Sequence, residues 1–401
     1  MYKTKKLQIY LTGLLTGIFL VLAAYYGYRF VTKYFYFPFM GEMSVENKIN
    51  AITEILDAHY INDFEKEQLL KNAYAGFVAG LGDPYSAYMD AKALSDLQVR
   101  TEGTYAGIGV VVSVDKSDNR IVVLVPYKGS PGANAGILPG DKIIRVNETP
   151  VTGDMLDEAV SMMKGEPGTG VNVTLYRESD KTTFEKDIVR AVITIPSIYG
   201  EMLDGSIGYI EISGFDYATT DQFIEEYYKL LIQGMKGLII DVRDNPGGLL
   251  DVVVRITDIL VAGDYIVYTE DKNGERHYYY ADAERINVPL VVLINERSAS
   301  ASEILAGAVK DSKTGILVGK TTFGKGLVQS VFNLPDKTGV KTTIAKYFTP
   351  SGVCIDKEGI APDYEIDLPE EYAGRMEVPP EFDTQLQKAI EIIIREASYA
   401  K

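Results

Sequence analysis

Leu290-Val-Val-Leu-Ile-Asn-Glu-Arg-Ser-Ala-Ser-Ala-Ser-Glu303 runs from an apolar segment, Leu290 to Ile294, through a cluster of small hydroxyl residues into a helical pattern from Ser302 to Lys310. A short unbroken apolar run bounded by polar residues reads as a strand buried on both faces, as in parallel sheets covered by helices. The neighbouring chain repeats the alternation. Ile207 to Ile212 and Gly237 to Val242 read as strands with the helix Thr220 to Gln233 between them. Leu249 to Leu260 reads as a helix, and Gly315 to Val318 as another strand. Strands alternating with helices predict an α/β architecture.

The turn after Ile294 is also where chemistry is expected. A hydroxyl between a strand end and a helix N-terminus lies beside unpaired N–H groups and a partial positive charge, both suited to a developing oxyanion. Ser300-Ala-Ser-Glu303 equally fits a capping box, which needs no chemistry. On this segment alone the two readings balance.

Further along, Thr321-Thr-Phe-Gly-Lys-Gly-Leu-Val-Gln329 places Lys325 between two glycines and beside the apolar Phe323, Leu327 and Val328. A lysine acts as a general base only when neutral, and burial in apolar surroundings lowers its pKa towards working pH. Gln329, four positions on, returns to the same face and is placed to hold the amine. The plainer reading is a surface lysine in a glycine turn. Upstream, Leu238-Ile-Ile-Asp-Val-Arg-Asp-Asn-Pro-Gly-Gly248 is a strand entering a tight turn. There the N–H of Gly247 or Gly248, with that of Ala301, could donate to an oxyanion; otherwise it is a turn that starts the next helix.

Composition removes several alternatives. The formal net charge is -16 with a pI near 4.7, and no long basic stripe occurs, which argues against nucleic acid as a partner. The single cysteine, Cys354, excludes an intrachain disulfide and a zinc site built on paired cysteines. Of the two histidines, His277 lies in Lys272-Asn-Gly-Glu-Arg-His-Tyr-Tyr-Tyr280, which reads as a hairpin rather than part of a Ser-His-Asp set. Gly319-Lys320-Thr321 resembles the end of a phosphate loop, but the spacing back to Gly315 is one residue short.

The N-terminal half carries other elements. After Lys3, Lys5 and Lys6, the stretch Leu7 to Tyr28 has no charged residue and is long enough to cross a bilayer. An uncleaved anchor fits better than a cleaved signal peptide, since Ala23-Ala24-Tyr25 is a poor cleavage site. The flanking charges favour a cytoplasmic N-terminus modestly, and the aromatic run Tyr34 to Phe39 suits the outer interface. Helical spacing fills Val45 to Leu97, interrupted by Gly82-Asp83-Pro84. Between Tyr105 and Val189 come short strands, Gly109 to Val114, Ile121 to Val125, Lys142 to Val146 and Val171 to Tyr176, with a helix from Asp157 to Met163. An amphipathic helix with Phe382, Leu386, Ala389, Ile390 and Ile393 closes the chain after an acidic, proline-containing linker.

In their order along the chain, Asp241-Val-Arg-Asp-Asn-Pro-Gly-Gly-Leu-Leu250, Ser298-Ala-Ser-Ala-Ser-Glu-Ile304 and Thr322-Phe-Gly-Lys-Gly326 resemble the carboxy-terminal-processing (tail-specific) serine proteases, Ser-Lys peptidases with an inserted PDZ domain. The resemblance implies Ser300, the middle serine of its run, as nucleophile. It implies Lys325, 25 positions later, as base, with Gln329 in support. Tyr105-Ala-Gly-Ile-Gly-Val110 resembles a PDZ carboxylate-binding loop, in which the N–H groups of Ile108, Gly109 and Val110 converge on a protein C-terminus. Gly129-Ser-Pro-Gly-Ala-Asn-Ala-Gly-Ile-Leu-Pro-Gly-Asp141 is similar to the helix and turn of bacterial PDZ domains. Val353 stands where the family pattern leads one to expect arginine, which leaves any side-chain role at that position open.

The expected organisation is a tail and transmembrane anchor over 1–40, a helical segment over 41–97, a PDZ domain over 98–189, a crotonase-like α/β protease core over 190–368, and an acidic linker with a C-terminal helix over 369–401. The expected activity is cleavage near unstructured C-terminal tails, without metal or organic cofactor, outside the cytoplasmic membrane. Helices at both ends of the soluble region suggest a homodimer. Two other readings remain: a catalytically inactive, membrane-tethered PDZ scaffold, and, by fold analogy alone, a small-molecule acyl enzyme.

Overall fold

In the computed structural model, which describes residues 2–34, 43–263, 265–282, 286–375 and 378–399, the chain divides into two compact units, Met1–Asn72 and Ala73–Lys401. In the first, the helix Tyr2–Tyr34 contains the stretch Tyr10–Phe30, exposed throughout and long and apolar enough to cross a membrane. The aromatic residues Phe35 to Phe39, expected at the membrane interface, lie outside the described residues. Ser44 starts the helix Val45–His59 by accepting the Asn47 N–H at 3.2 Å.

The second unit contains a six-stranded sheet in the order Ile198–Leu203, Ile207–Ile212, Gly237–Asp241, Leu290–Ile294, Gly315–Gly319, Tyr364–Glu365. Its first pair is antiparallel and the rest parallel. The helices Thr219–Ile232, Leu250–Leu260 and Ala301–Asp311 cover one face. The helix Thr384–Tyr399 covers the other through Leu386, Ala389, Ile392 and Ile393. Both central strands, Gly237–Asp241 and Leu290–Ile294, are buried at every position, as their unbroken apolar sequences require.

A separate core, made only of residues between Ile108 and Ile188, lies inside antiparallel strands Val110–Asp115, Arg120–Pro126, Lys142–Val146, Gly170–Arg177 and Thr182–Val189, with the helix Leu156–Met163 against them. The strand Thr104–Gly107 leads into this module and pairs with Ala191–Thr194 on the way out.

One expectation is corrected. The stretch Val45 to Leu97 is not wholly helical: between the helices Lys66–Ala79 and Ala91–Glu102 the chain forms a strand, Ala87–Met89. That strand belongs to a second, five-stranded sheet with Gly339–Phe348, Tyr265–Asp271, Arg276–Tyr280 and Leu327–Asn333, most of which had no reading as strands. Tyr265–Asp271 pairs antiparallel with Arg276–Tyr280, so His277 does sit in a hairpin.

The C-terminal helix is held at its start by Asp383. This carboxylate accepts the Leu386 N–H at 2.9 Å and pairs with Arg243 at 2.8 Å, while Arg243 also pairs with Asp241 at 2.6 Å. All three side chains are largely buried, so loss of one partner leaves uncompensated charge as well as an uncapped helix. Asp383→Ala is therefore expected to destabilise the protease core by about 3 kcal/mol, measured as a lowered urea midpoint with retained far-UV signal before the transition.

Candidate active site

The cluster after Leu290–Ile294 sorts its three serines by burial. Ser298 is fully buried, accepts the Asn295 N–H at 2.9 Å and donates to the Val242 carbonyl at 2.7 Å. Ser302 is fully buried and donates to the Asn245 carbonyl at 3.0 Å. Both hydroxyls join the turn to the neighbouring strand end. Ser300, at the N-terminus of the helix Ala301–Asp311, is the only one of the three that is not fully buried. Its backbone has φ 55° and ψ -112°, a conformation rarely adopted by a side-chain-bearing residue and retained only where the surroundings enforce it.

The Pro-Gly-Gly turn lies directly against this loop. A Cβ built on Gly247, whose φ is +100°, would stand 2.8 Å from Ser300 Cβ and 2.9 Å from Ala301 N, so only glycine permits the approach. Fully buried Asn245 fixes the turn: its Nδ2 donates to the Ile212 carbonyl at 2.7 Å, and its Oδ1 accepts the Gly247 N–H at 2.8 Å. That last bond narrows the expected oxyanion donors. The Gly247 N–H is already taken, whereas those of Gly248 and Ala301 have no acceptor among the described residues.

Glu303 was legible only as a capping residue, and the structure gives it more. Its carboxylate, with no exposed surface, accepts the Ser300 N–H at 2.8 Å and the Lys325 N–H at 2.8 Å on one oxygen, and the Gly324 N–H at 2.7 Å and the Thr322 hydroxyl at 2.6 Å on the other. One buried anion thus ties the Ser300 turn to the Thr322–Lys325 loop. The glycines beside Lys325 serve close packing: a Cβ on Gly326 would lie 2.3 Å from Asp356 N.

The Lys325 side chain is half-buried. Burial lowers its pKa from the ordinary lysine value; the positive charge of Lys341 lowers it further, and Glu303 opposes them. Phe323, expected to shield the amine, turns out to solvent and is 57% exposed. The Lys325 amine instead lies over the Tyr85 ring, 5.0 Å from its centroid. Gln329 makes no hydrogen bond to it among the described residues, and its Nε2 donates to the Leu327 carbonyl at 3.0 Å. Tyr347, almost fully buried, donates its hydroxyl to the Lys325 carbonyl. Burial pushes the Tyr347 pKa well up, so it remains a neutral donor. Val353 is 45% exposed.

At the other module, Ile108, Gly109 and Val110 line a cavity of about 60 Å³ with Tyr105, Val112, Val160, Met163 and Lys164. The Gly109 carbonyl accepts the Tyr127 N–H at 2.9 Å and the Ser130 hydroxyl at 2.9 Å, which fixes the loop at the mouth of an apolar slot between a strand and a helix. Among the described residues no cluster of His, Cys, Asp and Glu is arranged to hold a metal ion.

Comparison with known proteins matches residues 206–366 to peptidase family S41, residues 122–177 to a PDZ domain, and residues 39–93 to the N-terminal domain of the activating protease CtpB. The carboxy-terminal processing protease CtpA of Bacillus subtilis is 36% identical over 81% of this chain and 69% of its own length. The chain belongs to peptidase family S41. CtpB of the same organism is 34% identical over 82% of this chain and 69% of its own length, and the carboxyl-terminal-processing protease of Synechocystis sp. is 34% identical over 79% and 75%. Among solved structures, the photosystem II D1 C-terminal processing protease aligns at 32% identity over 82% of this chain and 95% of that one, with a TM-score of 0.46. The chain is a serine-type peptidase with a PDZ domain, related to carboxy-terminal processing proteases. The comparisons lend no support to a homodimer.

Glu303→Gln keeps the shape of this S41 site but puts an NH2 donor where backbone donors already point. The substitution is expected to loosen the two loops that Glu303 joins and to lower kcat on the order of 100-fold, with KM little changed and the melting temperature recording any separate loss of stability.

Proposed function

We propose that this S41 peptidase cleaves protein substrates near unstructured C-termini by a Ser300-Lys325 mechanism. The observation that carries the reading is the buried Glu303 carboxylate, which binds the N–H of both residues although they come from separate loops. Lys325, neutral and desolvated, takes the Ser300 hydroxyl proton as Oγ attacks the peptide carbonyl. The tetrahedral oxyanion is held by the N–H groups of Gly248 and Ala301. The protonated lysine then delivers its proton to the departing amine, and water releases the acyl group from Ser300 by the reverse relay. Gln329 supports Lys325 once its amide leaves the Leu327 carbonyl, a rotation of a side chain that is only half-buried.

The PDZ module supplies the substrate end. The N–H groups of Ile108, Gly109 and Val110 take the terminal carboxylate, while the slot lined by Val112, Val160 and Met163 takes an apolar last side chain. The helix Tyr2–Tyr34 anchors the enzyme as a single pass, with the PDZ and protease domains outside the cytoplasmic membrane. The division at residues 40, 97, 189 and 368 is retained within this reading. An inactive scaffold is disfavoured because binding alone gives no reason to desolvate Lys325 or to hold Ser300 at positive φ.

Ser300→Ala and Lys325→Ala are each expected to lower cleavage of an unfolded protein with an apolar C-terminus by about 1000-fold or more. Equal cleavage by all three proteins would overturn the dyad, and absence of cleavage by the unsubstituted enzyme would favour the scaffold. Because the neutral amine is the active form, kcat/KM should rise with pH through a midpoint below 10.5, the ordinary lysine value. For the PDZ slot, amidating the C-terminus of a peptide substrate removes the charge that the loop binds. It is expected to raise KM about tenfold with the same cleavage site, read by steady-state kinetics and mass spectrometry.

A further inference from the structure

The base and the nucleophile are close in backbone, yet the Lys325 amine is engaged elsewhere, with its Nζ on the Tyr85 ring face. We propose that Tyr85 is a positioning residue that parks the protonated Lys325 side chain, so that the segment Asp83–Met89 governs when the base reaches Ser300. This rests on Lys325 acting as the base.

The ring attracts a cation and not a neutral amine. It therefore favours the form of Lys325 that cannot accept the Ser300 proton, opposing the burial and the Lys341 charge that favour the neutral form. The other charged or titratable groups around this pair are Glu303 on the helix Ala301–Asp311, Tyr347 and Lys341 on the strand Gly339–Phe348, and Asp83 and Asp356, which face Tyr85. Of these, Glu303 adds to the hold on the cation, while Lys341 acts with burial against it.

Tyr85 is delivered by a braced turn rather than a loose one. Asp83 accepts the Tyr85 N–H at 3.0 Å, the Ser86 hydroxyl at 2.5 Å and the Thr343 hydroxyl at 2.7 Å. Ser86 also meets the Thr342 hydroxyl and the Thr343 N–H, each at 3.2 Å. Directly after it, Ala87–Met89 pairs with Lys341–Gly339 in the sheet that carries both Lys341 and the strand following Lys325. The turn and the base thus share one sheet. A displacement of Ala87–Met89 along its partner strand moves the ring relative to the amine without touching the Ser300 turn, which is built on the other sheet.

The test is the pH dependence of kcat/KM for the full chain in detergent, with a fluorogenic unstructured peptide ending in apolar residues. Tyr85→Phe keeps the ring and is expected to keep the midpoint. Tyr85→Leu keeps apolar cover but removes the ring, and is expected to lower the midpoint by roughly half to one pH unit. Below the wild-type midpoint this variant would then be roughly 3- to 10-fold more active. If thermal melts show that Tyr85→Leu does not fold, Tyr85→Met carries the same expectation. An unmoved or raised midpoint in the ring-free variant, a lost rate without a moved midpoint, or Tyr85→Phe behaving like Tyr85→Leu would each overturn the proposal. Full activity of Lys325→Ala would instead overturn the reading of Lys325 as base, so the two failures are separable.

Discussion

The buried carboxylate of Glu303 is the constraint around which the site is assembled. An ionised group without exposed surface is costly unless its oxygens are satisfied, and here four donors converge on it from two loops. Those donors are mostly backbone N–H groups, which fixes main-chain positions and not merely side chains. The Ser300 turn and the loop before Lys325 are thereby held together from below, while the faces that meet substrate stay free to act.

Around this anion the two sheets divide the labour. The parallel sheet presents its strand ends, where Asn245 and the turn at Gly247 and Gly248 hold one wall of the site against Ser300. Backbone approach this close leaves no space for side chains, which is why glycines recur there. The five-stranded sheet brings Lys325, through the strand after it, together with Tyr347 and Tyr85. Ser300 and Lys325, the proposed nucleophile and base, therefore belong to different structural layers. Catalytic geometry depends on how those layers meet, and Glu303 is the bond between them.

Much of this was legible in the sequence, and what was not has a physical cause. Leu290–Ile294 and Gly237–Asp241 announce themselves because a strand buried on both faces is apolar at every position. Lys325 stands out because glycines flank it. Strand Gly339–Phe348 is hidden because it is half-buried, with lysines and threonines among its apolar residues, so neither alternation nor an unbroken apolar run marks it. Glu303 satisfies a local capping pattern, and nothing local reports its second set of donors from residues 322–325. Tyr85 and Tyr347 act through tertiary placement alone, which no spacing rule captures.

The same layering explains why Ser300, Lys325 and Gln329 need not be in working contact for the site to be sound. Their backbones are fixed by buried hydrogen bonds, whereas the Lys325 and Gln329 side chains lie half-buried, one on the Tyr85 ring and one on the Leu327 carbonyl. Moving an amine from an aromatic face to a hydroxyl costs far less than moving a loop tied to a buried anion, since a cation–π contact at a partly exposed site is worth about 1 kcal/mol and a buried charge left unpaired several. Control of such an enzyme is most economically exerted on the side chains. On the proposed mechanism, a base whose backbone is built in place can be held back by its side chain alone, without disturbing the loops tied to Glu303.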